Sequence, residues 1–591
     1  MLAADALAKE CTERARQLLE DRAFEQAEAE IRRGLQAVPD HLPLLHILVD
    51  VYDMAGLSHA ALPICEHLMR LMPGNTAVLV RIAQLRLKQF DFSRAEQVLQ
   101  QALTFEPQNP TVMDFLTEVW RVGGKREEAR AMLLRRAELS ASPAERAARR
   151  FKTIFLQPSV ARDTTEMDEA RAYMERVLAA GPESPLPNPF EFDLGANFYL
   201  GYQARDDRPL QEALARYYLA ATPSLAEVAP HVGARPMGRK IRVGIASRYF
   251  SKHTVGYLSY GLVSLLDRAQ FDVTLFRMPQ TSVDGGAPRF AAAAPCVDLP
   301  DDLSAARRMI ADAKLDVLHF PEIGMDAFTY FLAFARLATV QTVAWGHPIT
   351  TGIPNIDLFL SPDSMEPPNG EAHYGERLVR LKGLTFAGET PSSPSEYEIP
   401  WDAGRPAYLC AQSLFKVHPD FDATLAALLR RDPKGIVYFI SFQAHADSVL
   451  AERLRATLGA DADRIRFLPR MTASRFLYLV GKADIVLDVP QWSGGKTSLD
   501  TFAMGTPIVH WPGAFMRGRH TLAFYRRMGI DACVVDSSDA YAETAVRLVH
   551  DAAFRADIRE QIAARRHTLF NDVASIRETE DIWTSALAQR T

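Results

Sequence analysis

Hydrophobic positions follow two regimes along the chain. Over the first quarter they recur with helical spacing inside units that themselves repeat. Small residues stand at Ala27, Ala61, Ala95 and Ala129, each 34 positions after the last. Cys11, Leu45, Leu79 and Met113 hold a second register, and Ile31, Cys65, Leu99 and Leu133 a third. A fourth is imperfect, with Leu18, Tyr52 and Trp120 interrupted by Arg86. Pro39, Pro73 and Pro107 each follow an alanine by 12 positions. The pattern predicts stacked helix pairs, with a small residue where two helices cross. The proline ends the second helix, because it lacks an N–H and its ring clashes with the preceding turn.

Helical patterning continues to about residue 220, and Thr222–Lys240, rich in proline, glycine and small residues, breaks it. Beyond lie short apolar runs rich in β-branched residues, separated by helical stretches. The first series comprises 241–247, 271–276, 315–320, 340–345 and 357–361; the second comprises 407–412, 436–441, 465–469, 484–489, 507–511 and 532–536. Such runs predict parallel sheets covered on both faces. Two series predict two Rossmann-like lobes, with ligands held just after the strands' carboxyl ends. The expected division is repeats at 1–139, a helical extension at 140–222, a linker at 223–240 and lobes at 241–395 and 396–591. The fold class is an α-solenoid followed by α/β lobes.

The 34-residue unit resembles the tetratricopeptide repeat (TPR), whose stacked groove binds polypeptides, so a protein partner is expected. Composition changes this picture little. Apolar residues at 48% and charged residues at 24% are ordinary globular values. A net charge of −6 argues against nucleic-acid binding, which shows as a basic stripe. Five scattered cysteines give neither zinc spacing nor a disulfide framework. No apolar stretch approaches a membrane span, and no signal sequence opens the chain, so a cytoplasmic protein is expected.

Candidate chemistry concentrates after the run at 484–489, where Gln491-Trp-Ser-Gly494-Gly495-Lys496-Thr497-Ser-Leu-Asp500 leads into a helix. Glycines there let backbone approach a phosphate, and the helix start offers free N–H groups. Lys496 adds charge, Thr497 a hydroxyl, and Asp500 an acceptor for ribose hydroxyls. The loop is not a Walker A motif, because Pro490 stands where its first glycine belongs. Taken alone, a glycine turn without any ligand explains it equally well.

Several segments together resemble the O-linked N-acetylglucosamine transferase/SPINDLY family, which joins TPR repeats to a metal-independent GT-B domain and inverts the transferred sugar. They are FYLGYQARDDRPLQEALARYY (198–218), IRVGIASRYFSKHTVGYL (241–258), VQTVAWGHPITTGIPNIDLFLSPD (340–363), QSLFKVHP (412–419) and LDVPQWSGGKTSLDTFAMGTPIV (487–509). The resemblance implies that His253 is the active-site histidine and Lys416 the lysine that meets the leaving diphosphate. It places Gly494, Gly495, Lys496, Thr497 and Asp500 against the nucleotide sugar. It implies no metal and no cofactor, the nucleotide sugar being a substrate. An ammonium and N–H groups would stabilise the growing diphosphate charge, and an imidazole could act on the acceptor hydroxyl as base or as positioner. Two departures fall where donor recognition is expected: Gly494-Gly495-Lys496-Thr497-Ser498 in place of G-H-T-T-G, and Gly346-His347-Pro348 in place of G-Y-P. They resemble a bacterial branch that includes flagellin-modifying enzymes. His347 and Glu322 are candidate donor or acceptor contacts, whereas His319 reads as a strand residue. The expected activity is protein O-glycosylation of Ser/Thr. The alternatives are a flagellin transferase using a nonulosonic acid donor, transfer to asparagine, and a non-catalytic TPR scaffold.

Overall fold

A computed structural model describes residues 2–590 except 90, 234–237, 280 and 283. Its contacts divide the chain into two compact units, Met1–Leu156 and Gln157–Thr591.

The first unit stacks the helix pairs that the repeat predicts: Leu2–Glu20 with Phe24–Ala37, Leu42–Met54 with Ser58–Leu71, Thr76–Lys88 with Phe92–Phe105, and Pro110–Val122 with Arg126–Glu138, followed by Pro143–Phe151. Ala27, Ala61, Ala95 and Ala129 are all fully buried, as a close crossing demands. The second helices stop at Ala37, Leu71 and Phe105, and the residue before each proline has left helical φ/ψ, because the proline ring crowds its backbone. The interrupted register has its own logic. Tyr52 donates to Glu28 at 2.7 Å and Trp120 to Glu96 at 2.9 Å, equivalent contacts two units apart. Arg86, between them, turns instead to Glu66 and Asp91, each at 3.7 Å.

The second unit contains two parallel sheets. The first holds β1 (Ile241–Ser247), β2 (Phe271–Arg277), β3 (Cys296–Asp298), β4 (Leu315–Phe320), β5 (Ala338–Ala344), β6 (Leu358–Pro362) and β7 (Arg377–Leu381), in spatial order β3-β2-β1-β4-β5-β6-β7. The second holds β8 (Ala407–Cys410), β9 (Ile436–Ile440), β10 (Ile465–Leu468), β11 (Ile485–Leu487) and β12 (Ile508–Val509), in order β10-β9-β8-β11-β12. Every residue of β4 and β5 except Ala344 is buried, as expected of strands covered on both faces. Residues 532–536, expected as a strand, contribute only an isolated bridge between Val534 and His510. β3 and β7 were not expected. β3 is three residues long, and β7 (RLVRL) alternates too many cations to stand out as an apolar run.

Two segments lie elsewhere than their sequence positions suggest. Helices Thr164–Ala180 and Arg208–Ala221, in the stretch expected to extend the repeats, belong to the second unit. The expected linker, whose residues 234–237 lie outside the described residues, is docked on the first lobe. Ala229 N–H donates to Arg336 O at 2.9 Å, Arg336 N–H returns a bond to Glu227 O at 2.8 Å, and Leu225 and Ala229 are buried. The last helix, Val573–Arg590, follows the second lobe in sequence. Yet its Ile576, Trp583, Ala586 and Leu587 pack into the first lobe's core with Val243, Phe271 and Val317.

Candidate functional site

Each sheet reverses its winding direction once, between β1 and β4 in the first lobe and between β8 and β11 in the second. Such a reversal opens a crevice at the strands' carboxyl ends. In both lobes side chains from the two strand ends bond across it. In the first lobe the Ser247 hydroxyl donates to Glu322 Oε1 at 2.9 Å. In the second, Gln412 Nε2 donates to Asp488 Oδ1 at 3.0 Å.

Between the lobes lies a cavity of about 570 Å³, within the range of small-molecule sites. His253, Tyr257, Tyr260 and Arg289 line it from the first lobe, and Phe476, Lys496, Thr497 and Asp500 from the second. Gly388 and Glu389, from the connection between lobes, complete the wall. Tyr257 is the common contact: its ring lies 4.7 Å from Lys496 Nζ, and its hydroxyl donates to Glu389 O. Arg289 stacks over Tyr260 at 3.7 Å.

His253 caps helix Thr254–Leu265. Its Nδ1 accepts the N–H of Val255 at 3.2 Å, and its ring stacks on Tyr249 with centroids 4.2 Å apart. A backbone N–H can only donate, so the proton of the neutral imidazole sits on Nε2. Burial lowers the ring's pKa and favours that neutral form. Taking up a second proton would place it on Nδ1 and break the cap. The geometry therefore presents His253 as a hydrogen-bond donor through Nε2.

Lys416 ends a short 3₁₀ turn after β8, and its Nζ donates to Gln412 Oε1 at 3.2 Å. Burial lowers its pKa to about 8, with Asp488 and Cys410 opposing that fall. Behind it, Asp488 is fully buried and accepts from Gln412, Ser493 Oγ (2.6 Å), Gly494 N–H (2.9 Å) and His510 Nδ1 (2.9 Å). Burial alone would raise this carboxyl, but the bonds, His510's above all, hold it below its usual range. A Cβ on Gly494 would lie 2.4 Å from Ser498 Oγ and 2.6 Å from Gln412 Nε2. One on Gly495 would meet nothing nearer than 3.8 Å.

The structure thus gathers His253, Lys496, Thr497 and Asp500 around one cavity. It sets Lys416 with Gly494 at the second lobe's crevice. Lys496 and Asp500 engage each other in an ion pair, and burial raises the Asp500 carboxyl against the pull of Lys496. Glu322 and His347 are buried and are not among the residues lining this cavity. The Glu322 carboxyl is pushed well above its ordinary range by burial, with Asp326 adding to the effect. His347 stacks on Phe198 with centroids 5.4 Å apart, and burial lowers its pKa to about 3. His319 is indeed a strand residue, bonded to Thr342 Oγ1 at 2.8 Å.

Sequence reasoning missed Tyr257, Arg289, Glu389, Asp488 and His520. Asp488 carried a signal, an acid inside the apolar run 484–489. Tyr257 lies inside the segment 241–258, one turn after His253, whereas Arg289, Glu389 and His520 stand outside every segment that carried the resemblance. His520 donates from Nδ1 to Ser493 O at 3.3 Å, and its ring lies 5.3 Å from Trp345, tilted by 37°.

The architecture is a TPR solenoid joined to two Rossmann-like lobes of the GT-B kind. Residues 390–577, which include Lys416, Asp488 and the glycine loop, match glycosyl transferase family 41, and residues 54–117 match a tetratricopeptide repeat profile. Among curated relatives, the probable UDP-N-acetylglucosamine–peptide N-acetylglucosaminyltransferase SEC of Arabidopsis thaliana is 24% identical over 58% of this chain and 36% of its own length. A UDP-glucose:protein N-β-glucosyltransferase of Actinobacillus pleuropneumoniae is 25% identical over 43% of this chain and 42% of its own. The chain thus spans about two fifths of the length of these relatives. A mutant O-GlcNAc transferase structure from Thermobaculum terrenum superposes with a TM-score of 0.66, covering 92% of this chain and 97% of that one; at 20% identity it shows the shared fold. Among the described residues, no helix is long and apolar enough to cross a membrane.

Proposed function

We propose that this chain is a cytoplasmic protein glycosyltransferase that moves one sugar, with inversion, from a nucleotide sugar to Ser/Thr of a protein held by the TPR array. The observation that carries this reading is the second lobe's crevice, where the Lys416 ammonium and the Gly494 loop meet beside the start of helix Lys496–Ala503, inside the segment that matches glycosyl transferase family 41.

In this reading the donor diphosphate faces Lys416 and the N–H groups at the start of helix Lys496–Ala503. As the sugar–phosphate bond breaks, negative charge grows on the diphosphate, and a fixed ammonium stabilises that charge more than the ground state. Asp500 and Thr497 hold the nucleoside from the cavity wall. His253 donates from Nε2 and orients the acceptor, while its Nδ1 stays committed to the helix cap. No metal or cofactor takes part. In this reading the Lys416 ammonium is the group that meets the growing diphosphate charge. The nonulosonic-acid donor and the scaffold reading have no observation in their favour. The acceptor need not be flagellin, although flagellin belongs among the acceptors tested.

Mass spectrometry of acceptor proteins incubated with purified enzyme and a panel of nucleotide sugars, with and without EDTA, tests the assignment. The expected result is a single added sugar on Ser/Thr, unaffected by EDTA and slowed by about 10²–10³ in Lys416→Ala. An EDTA-abolished reaction restored by Mg²⁺ would overturn the metal-free reading. Addition to asparagine would correct the linkage.

A further inference from the structure

The proposed function uses Lys416 and the helix start that follows the glycine loop as two separate contacts to one diphosphate. The lysine and the loop are tied to the same buried atom. Gln412 bridges them on one side: its Oε1 accepts from Lys416 Nζ at 3.2 Å, and its Nε2 donates to Asp488 Oδ1 at 3.0 Å. The same Oδ1 accepts the Gly494 N–H at 2.9 Å and the Val489 N–H at 3.1 Å. Oδ2 accepts from Ser493 Oγ at 2.6 Å and from His510 Nδ1 at 2.9 Å.

We propose that Asp488 is a positioning residue that sets both halves of the phosphate site, aiming the Lys416 ammonium through Gln412 and shaping the loop through Gly494 and Ser493. The role depends on the site being a phosphate site, as the proposed function has it. The amide orientation follows from the network. Lys416 can only donate and the Asp488 carboxylate can only accept, so Gln412 must present its oxygen to the lysine and its nitrogen to the aspartate. A neutral relay between a cation and an anion polarises in one direction and strengthens both bonds. The carboxylate has no solvent exposure, so its charge is felt strongly over this short path.

The charged and titratable groups that bear on Lys416 are few. Asp488 and Cys410 favour its protonated form, burial disfavours it, and the neutral His520 lies close enough for Lys416 to help depress its pKa to about 4. A residue that merely held the fold together would leave the lysine's titration where it is. A counter-ion would not.

The test labels lysines as ¹³C-dimethyl derivatives in the full-length protein and follows the Lys416 resonance by NMR against pH, assigned by its disappearance in Lys416→Arg. In the wild type the midpoint is expected near the depressed value of about 8. In Asp488→Asn, an isosteric change that removes the charge, it should fall by about one unit, the scale for losing a nearby opposite charge. Gln412→Leu leaves Asp488 and its bonds to the loop in place but severs the relay. It should also lower the midpoint, and it keeps the question answerable if Asp488→Asn does not fold. A midpoint unmoved in a folded variant overturns the proposal.

Uridine diphosphate binding, measured by calorimetry at pH 7 and pH 9, gives the second reading. Wild-type affinity should drop by up to about tenfold at pH 9, as Lys416 loses its proton. Both variants should bind more weakly already at pH 7. If the NMR midpoints move while uridine diphosphate does not bind at all, the relay stands and the assignment of a diphosphate to this crevice fails. If it binds with equal affinity in wild type and variants, Asp488 does not set the phosphate site.

Discussion

Two adjacent glycines in the loop have unequal reasons to be glycine. A methyl group on Gly494 would press on Ser498 Oγ and Gln412 Nε2 at 2.4 and 2.6 Å, whereas one on Gly495 would find ordinary contacts from 3.8 Å outward. Gly494→Ala should therefore part Gln412 from Asp488 and weaken nucleotide binding, while Gly495→Ala should leave affinity within about a factor of three. Calorimetry on the two variants checks this, and equal losses would show that loop flexibility rather than space is the requirement. Sequence alone shows two glycines before a helix; the distinction between them needs the side chains that approach from β8 and the following helix. Glu322 makes a second prediction at this scale. Its folded carboxyl titrates well above the usual 4.5, so it stays protonated where the unfolded chain would ionise. Its stabilising share is complete below the unfolded value and is lost as pH rises toward the folded one. Glu322→Gln keeps an oxygen for the Ser247 hydroxyl and removes the titration. Melting temperatures of the variant should fall less between pH 5 and 8 than those of the wild type, as thermal scans across that range would show.

At the scale of elements, the periodic segments were legible and their docking was not. The strands at 241–247 and 315–320 emerge with the bounds the apolar runs suggest, because strands buried on both faces are nearly all apolar. Edge strands β3 and β7 escape the same reasoning, being short or interleaved with arginines. Helix Val573–Arg590 is the sharper case. Nothing in its sequence says that it returns to the first lobe, where Trp583 is fully buried against Phe271 and His319. Trp583→Ala should cost about 3–5 kcal/mol, the usual penalty for emptying so large a buried site. The loss should appear as raised hydrogen exchange in β1, β2 and β4 of the first lobe. Exchange rising only in the second lobe, nearer in sequence, would contradict the packing.

For the whole molecule, the useful division is the one at Leu156, not the end of helical patterning near residue 220. Solenoid repeats contact their neighbours and need no distant core, so residues 1–156 should fold alone. Far-ultraviolet circular dichroism of that fragment should show a helical spectrum with a cooperative melt. A fragment extended to residue 222 would carry helices whose packing partners lie in the second unit, and should gain helix without gaining stability. Should the longer fragment melt well above the shorter one, helices 164–180 and 208–221 would belong with the repeats after all. The composition shift at 222–240 was visible in the sequence, but it marks a docked strap, because Glu227 and Ala229 pair with Arg336.

The chain passes between the lobes twice, once after β7 and again before its last helix, and the two passages are laced together. Asn571 N–H donates to Gly388 O at 3.1 Å, and Leu384 N–H donates to Asp572 at 3.1 Å. Mechanically this is a pair of threads sewn along a single seam. Away from the seam the lobes meet again where the rings of Trp345 and His520 lie 5.3 Å apart. Gly388 lies on the seam and, with Glu389, forms part of the cavity wall. The wall at that point is therefore fastened to both passages of the chain at once, through the Asn571 N–H bond to Gly388 O.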